Sequence, residues 1–457
     1  MGTDSRGLIY TGTDDAGVKK FEAALEWIFD YRPNAMEKID SILEAHPEFV
    51  MAHVLKGYSI ASEGRYSSLA GISDVLTSIR SLVKQTNSRE QQHISALEAY
   101  QRGDIKAALE VWAGILNEWP LDLVAFRQST GNLFWFGERQ RLVDTAAKIA
   151  PHWGEDISGY GYFIGAFSFA LEEVGEYQLA EDYARRAVEL NPADVWAVHS
   201  LAHVLEMNAR TDEGIDWIES RREQLPTHNA FVGHLWWHLA LFHLEQGNID
   251  EVFSLLDHHI YPEPSNFYLS VQNGASLLKR LEFLGIEVGE RWQRLYEGVR
   301  DAYGDYIYLF TELHSAMVLH RAGEKEAISS LKGKLGNPNA LRYPTENELS
   351  QKLVTGIEAF EDGNFAHAAN LITPIRYDMA KLGGSHAQQD ILHQYLINAE
   401  VEQGHLETTK GFLKERVSRR TQWDLAPEIY LRKYAAIERL TLGGDRQALN
   451  QLLRRVL

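Results

Sequence analysis

Residues 160–192 read YGYFIGAFSFALEEVGEYQLAEDYARRAVELNP, and the order of small residues within them decides the fold class. Ser168 interrupts an apolar run, Gly175 follows, Ala180 comes next, and Pro192 closes the stretch. Two helices that cross closely need a small side chain at each contact, a turn residue between them and a stop afterwards. The same order stands upstream as Ala96, Gly103, Ala108 and Pro120. Gly103, Gly175 and Gly247 are each 72 residues apart, so the arrangement is periodic rather than local.

Working outward, Pro192 to Pro226 is a further 34 residues, carrying Ala202, Ala209 and Gly214, and the next copy reads Ala240, Gly247 and Val252. Weaker copies follow at Ala316 with Gly323, at Gly356 with Gly363 and Ala368, and at Gly404. A helix–turn–helix unit of this length is the tetratricopeptide type. The expectation is an all-α chain: a tetratricopeptide-type, right-handed α-solenoid of antiparallel helix pairs. Residues 1–20 read as an N-terminal arm and 21–457 as a single solenoid, with regular repeats over 89–262 and degenerate ones over 263–457. Breaks at 151–161, 261–265, 332–344 and 382–385 are rich in Gly, Pro and polar residues and read as loops within it.

With 457 residues, 45% hydrophobic and only 12 prolines, the chain has ample apolar material for a core that grows along one axis. Against 45 Lys and Arg stand 64 Asp and Glu, a net charge of −19 that repels phosphate backbones and anionic headgroups. Neither nucleic acid nor a membrane surface is an expected partner. The absence of cysteine excludes thiolate nucleophiles and Cys-type zinc sites. The first twenty residues lack an apolar signal core, and Arg6 stands where a myristoylation motif needs Ser or Thr. The apolar stretch 231–244 is broken by His234, His238 and His243 and is too short to cross a bilayer. A cytoplasmic location is the expectation.

Several segments resemble the tetratricopeptide repeat protein 38 family: REQQHISALEA at 89–99, DVWAVHSLAHVLEM at 194–207, HLWWHLALFHLEQG at 234–247, VGERW at 288–292 and PIRYDMAKLGGSHAQQD at 374–390. The resemblance implies the same helical-repeat fold, with the His-containing helices and the Gly-Gly-Ser loop as parts of the family pattern. Many relatives carry Arg where this chain has Gln389.

His199, His203 and Glu206, spaced four and three apart, fall within roughly 60° of one helix face. The next unit brings His234, Trp237 and His238, and the preceding one Tyr162, Phe169 and Glu172. By place in the repeat, 162, 169, 172, 199, 203, 206, 234 and 237 match positions that line the concave surface of such solenoids, and His238 is one residue from such a place. His with Glu suits zinc, iron or nickel, or a His oriented by a carboxylate for proton transfer. The competing reading is packing, because a half-buried helical His ordinarily just hydrogen-bonds a neighbour. The spacing is not that of His-Glu-x-x-His.

Ser385 and Gln388 fit a capping box after Gly383 and Gly384. The same loop could offer backbone N–H groups to an anion, with His386 and Asp390 at its mouth and Arg376 and Tyr377 flanking it. Trp236 falls at a packing place, and His258 with His259 point too far apart to chelate. The basic run 416–420 reads as a solvated helix end.

Together these residues predict a binding solenoid that takes a small molecule or short peptide in a His-, Trp- and Glu-lined groove. The alternative is an enzyme using the same cluster for general acid–base or metal-assisted hydrolase or lyase chemistry. Neither a catalytic residue nor a cofactor or metal is named by the sequence, and self-assembly through a solenoid end stays open.

Overall fold

The structure is a computed structural model that describes residues 1–225, 230–336, 344–421 and 435. Apart from two paired two-residue strands, Gly2–Thr3 and Ile9–Tyr10, every regular element among those residues is helical. The chain is all-α, as its spacing of apolar and small residues predicts. No helix among the described residues is long and apolar enough to cross a membrane.

The helices come as neighbours joined by short turns, among them Ser88–Gln101 with Ile105–Glu118, Tyr160–Glu172 with Tyr177–Leu190, and His386–Glu402 with Leu406–Arg420. Each turn needs one residue in the left-handed region, where a Cβ is strained. Gly103, Gly175 and Gly247 supply it at φ 75°, 86° and 77°, and Gly323, Gly363 and Gly404 do so further along. Ala209 takes the same place between Val195–Met207 and Thr211–Glu219 at φ 57°, without the glycine.

Small residues fill the crossings. Ala96, Ala108, Ala180, Ala202 and Ala240 are wholly buried, and the Ser168 hydroxyl donates to the Ala180 carbonyl at 2.7 Å. A Cβ on Gly214 would lie 2.4 Å from the Phe242 ring, and one on Gly356 would lie 2.8 Å from Ile372.

By packing, the chain divides into two compact units. The first comprises Met1–Leu201 with Arg221–Val232. Its N-terminal segment is tied down by the Glu90 carboxylate, which accepts from the Thr11 amide and hydroxyl, and helix Asp15–Phe29 follows directly. Beneath it the buried Asp122 carboxylate meets Arg89 at 2.6 Å and His93 at 3.0 Å.

The second unit comprises Ala202–Ser220 and the residues from Gly233 onward. Its central helix, Tyr268–Phe283, is buried along most of its length and packs on Arg291–Val299, on Leu309–Arg321 and, a hundred residues further on, on His386–Glu402. That last contact carries the Gly383–Gly384–Ser385 loop onto the core of the unit. Of the predicted breaks, 332–344 runs into residues 337–343, outside the described residues. The break at 261–265 is closed by the Tyr261 hydroxyl, which donates to the Ser265 carbonyl and accepts from the Ser265 amide.

Candidate functional site

Helix Val195–Met207 starts behind Asp194, whose carboxylate accepts from the Ala197 amide at 3.0 Å. The helix carries His199, His203 and Glu206 along one face, as their spacing requires. His199 belongs to the first unit, where its ring lies among Phe169, Trp196 and Phe231 at 5.5, 5.3 and 5.0 Å. Tyr162 and Glu172 belong there too; the Tyr162 hydroxyl donates to Asp30 at 2.8 Å and Glu172 is fully buried. The other predicted residues lie in the second unit.

There, His234 and His238 stand one turn apart on helix Ala230–Gln246 and meet His203. Ring centroids are 4.4 Å apart for His203 and His238 and 4.8 Å for His234 and His238. Each of the three imidazoles presents a ring nitrogen within 4.8 Å of the others. The Glu206 carboxylate sits 2.9 Å from His238 Nδ1, and the Asn273 Oδ1 atom 2.8 Å from His234 Nδ1. Trp237 stacks on His234 at 5.1 Å and donates its Nε1–H to Ser276.

All three imidazoles are buried, and burial disfavours their charged forms. Burial, reinforced by His238, pushes His234 down to about 3. Burial, with Arg280 and Arg420 nearby, pushes His238 down to about 3 as well. His203 moves in the same direction, again through burial first and His238 second. At neutral pH these are three uncharged imidazoles.

The Gly-Gly-Ser loop arrives at the same core. Ser385 accepts from the Gln388 amide at 3.2 Å and Gln388 Oε1 accepts from the Ser385 amide at 2.9 Å, the capping box legible in the sequence. Gln388 also donates to Gln272 on the central helix, while Gln389 donates to the carbonyls of Gly383 and Gly384 and so holds the loop shut. His386 is half-buried and its charge would be felt at His203. Arg376 and Tyr377 are engaged with Glu415 on the last described helix.

Three arginines that sequence reasoning did not place in the site join the two halves. Arg280, fully enclosed, lies over the Trp237 ring at 5.4 Å, donates to the Ala387 carbonyl at 2.9 Å and faces Asp390 at 3.8 Å. Arg416 grips Asp390 with two bonds, at 2.5 and 2.8 Å, and Arg420 pairs with Glu206 at 2.5 Å and Glu245 at 3.4 Å. The basic run 416–420 is therefore not simply a solvated helix end. Arg416 and Arg420 turn inward because Asp390 and Glu206 are buried there and need countercharge. Burial alone would push the Asp390 carboxyl up, but Arg416, Arg420 and Arg280 hold it well below the usual range. Burial brings Arg280 itself down to about 10, with Asp390 and Glu206 opposing.

These charged groups border a cleft open to solvent. Its charged lining is Arg280, Arg416, Arg420, Glu206, Glu245 and Asp390, joined by the amides of Gln394 and Asn398, and its apolar wall includes Leu241, Leu284 and Leu413. A smaller hollow adjoins it, sharing Glu206, Leu241, Glu245 and Arg420. Of the predicted residues, Glu206 and Asp390 face the cleft, while His203, His234, Trp237 and His238 are buried. No protein-family model matches the chain.

Proposed function

We propose that the chain is a tetratricopeptide-type, right-handed α-solenoid akin to the tetratricopeptide repeat protein 38 family, and that its second unit binds a small molecule or short peptide bearing a carboxylate. A cytoplasmic setting belongs to the same proposal and draws on the cysteine-free composition. The observation that carries the binding reading is the cleft, where three guanidiniums and three carboxylates from positions as distant as 206 and 420 converge beside leucine side chains. Apolar walls with a few convergent polar groups are what small-ligand sites require. Arg420 offers the point of exchange: its contact with Glu245 is long, at 3.4 Å, and a ligand carboxylate could replace that partner on the guanidinium.

An acid–base enzyme built on the same imidazoles draws less support. A general base works best with a pKa near the operating pH, and His234 and His238 lie several units below neutrality.

The test is a thermal-denaturation screen with free amino acids, dicarboxylates and short peptides on the wild type and on Leu241→Trp, which fills the cleft. A probe at about a hundred times its Kd is expected to stabilise the wild type by about 2.7 kcal/mol and to leave Leu241→Trp unmoved. A panel in which no carboxylate-bearing probe stabilises the wild type, or in which both proteins respond equally, contradicts the reading.

A further inference from the structure

We propose that His203, His234 and His238 form a three-imidazole site for one borderline divalent transition-metal ion of the zinc class, behind the ligand cleft. The ligands come from two helices, with His234 and His238 one turn apart on one and His203 on the other. Their nitrogens lie within 4.8 Å of one another. Tetrahedral coordination at about 2.1 Å sets ligand nitrogens about 3.4 Å apart, so a small rotation of the rings closes the set.

The surroundings orient the rings as second partners of metal ligands do. Glu206 is acceptor-only as a carboxylate, so His238 must carry its proton on Nδ1, which makes Nε2 the unprotonated nitrogen, the form a metal ligand needs. Asn273 Oδ1 imposes the same tautomer on His234. Glu206 is held in turn by Arg420, so the carboxylate is itself positioned.

The nitrogen donor set, in a chain without cysteine, suits zinc, cobalt, nickel or iron(II) rather than thiolate-seeking ions.

The experiment uses the full chain, stripped with a chelator and titrated with Co²⁺ alone. One equivalent is expected to produce the intense visible absorption of four- or five-coordinate cobalt, lost on adding Zn²⁺. His203→Ala and His238→Ala should abolish the band with the helical circular dichroism retained. Glu206→Gln keeps every ligand and is expected to weaken cobalt about 10–100-fold. His243 lies in a separate, partly exposed group with Glu219 and Glu251, so His243→Ala should leave the band intact. Should the imidazole variants fail to fold, the wild-type stoichiometry and the Glu206→Gln affinity still decide. Leu241→Trp should keep the cobalt band while losing the cleft ligand, which separates failure of this site from failure of the binding reading. A wild type with only the weak spectrum of six-coordinate cobalt, or a band that survives His203→Ala but vanishes in His243→Ala, overturns the proposal.

Discussion

Asp122 and Asp194 do the same local work, each accepting from a backbone amide at a helix start, Ala125 at 2.9 Å and Ala197 at 3.0 Å. Their charges fare differently. Burial would raise both; His93 and Arg89 outweigh it at Asp122 and hold that carboxyl well below its usual range, whereas burial wins at Asp194 and pushes it up to about 7. Asn caps a helix as well as Asp. Asp194→Asn is therefore expected to melt with the wild type at pH 4 or below and above it at pH 8. The sign follows from linkage: a carboxyl with a raised folded pKa contributes stability that is complete below its unfolded value near 3.8 and is lost as pH rises to the folded value near 7. Asp122→Asn should instead cost about 3–5 kcal/mol at both pH values, because it leaves the Arg89 charge buried without its partner. Equal responses of the two variants to pH would refute this contrast. His234 and His238 titrate in the opposite sense. Each is neutral in the fold down to about 3 but protonates in the unfolded chain near 6.5. Their contribution is complete above about pH 6.5 and is lost as pH falls toward 3. Melting midpoints taken between those limits should decline less steeply in His234→Gln than in the wild type.

At the scale of the element, the hairpins rest on two cheap features, a left-handed turn residue and a small residue at the crossing. Ala209 at φ 57° is the exception that permits a test. The left-handed region costs a non-glycine residue about 1–2 kcal/mol, offset in part by the greater unfolded-state freedom of glycine. Ala209→Gly is expected to stabilise the second unit by up to about 1 kcal/mol in calorimetry; a loss of stability would mean that the turn is not strained. Ala240→Leu should destabilise by about 1–3 kcal/mol through overpacking, since Ala240 is wholly buried. These features were legible in the sequence because they are local and recur: Gly103, Gly175 and Gly247 announce their turns by spacing alone. The Ser385 cap was legible for the same reason, its partner Gln388 being three residues away. Arg280, Arg416 and Arg420 were not. The partner of Arg420 is Glu206, and no local period links residues so far apart. The one available signal was that Arg416 and Arg420 share a helix face four residues apart, next to Leu413 and Val417, which are buried.

For the whole molecule, the distinctive event lies inside the second unit, where the return of His386–Glu402 onto Tyr268–Phe283 joins two stretches that the sequence presents as separate candidates. Histidines near position 203 and a glycine loop near 384 become one assembly, with Arg280 lying over Trp237 and bonded to Ala387. The proposed binding in the cleft and the proposed metal capture both depend on that closure. The most direct measurement is a double-mutant cycle on Glu206 and Arg420, with Glu206→Gln, Arg420→Gln and the double variant compared by the melting of the second unit. A buried charge pair that closes the site is expected to give strong coupling, about 1–3 kcal/mol, so that the double variant is hardly worse than the poorer single one. Additive losses would mean that Arg420 and Glu206 do not meet, and the site as described would not exist.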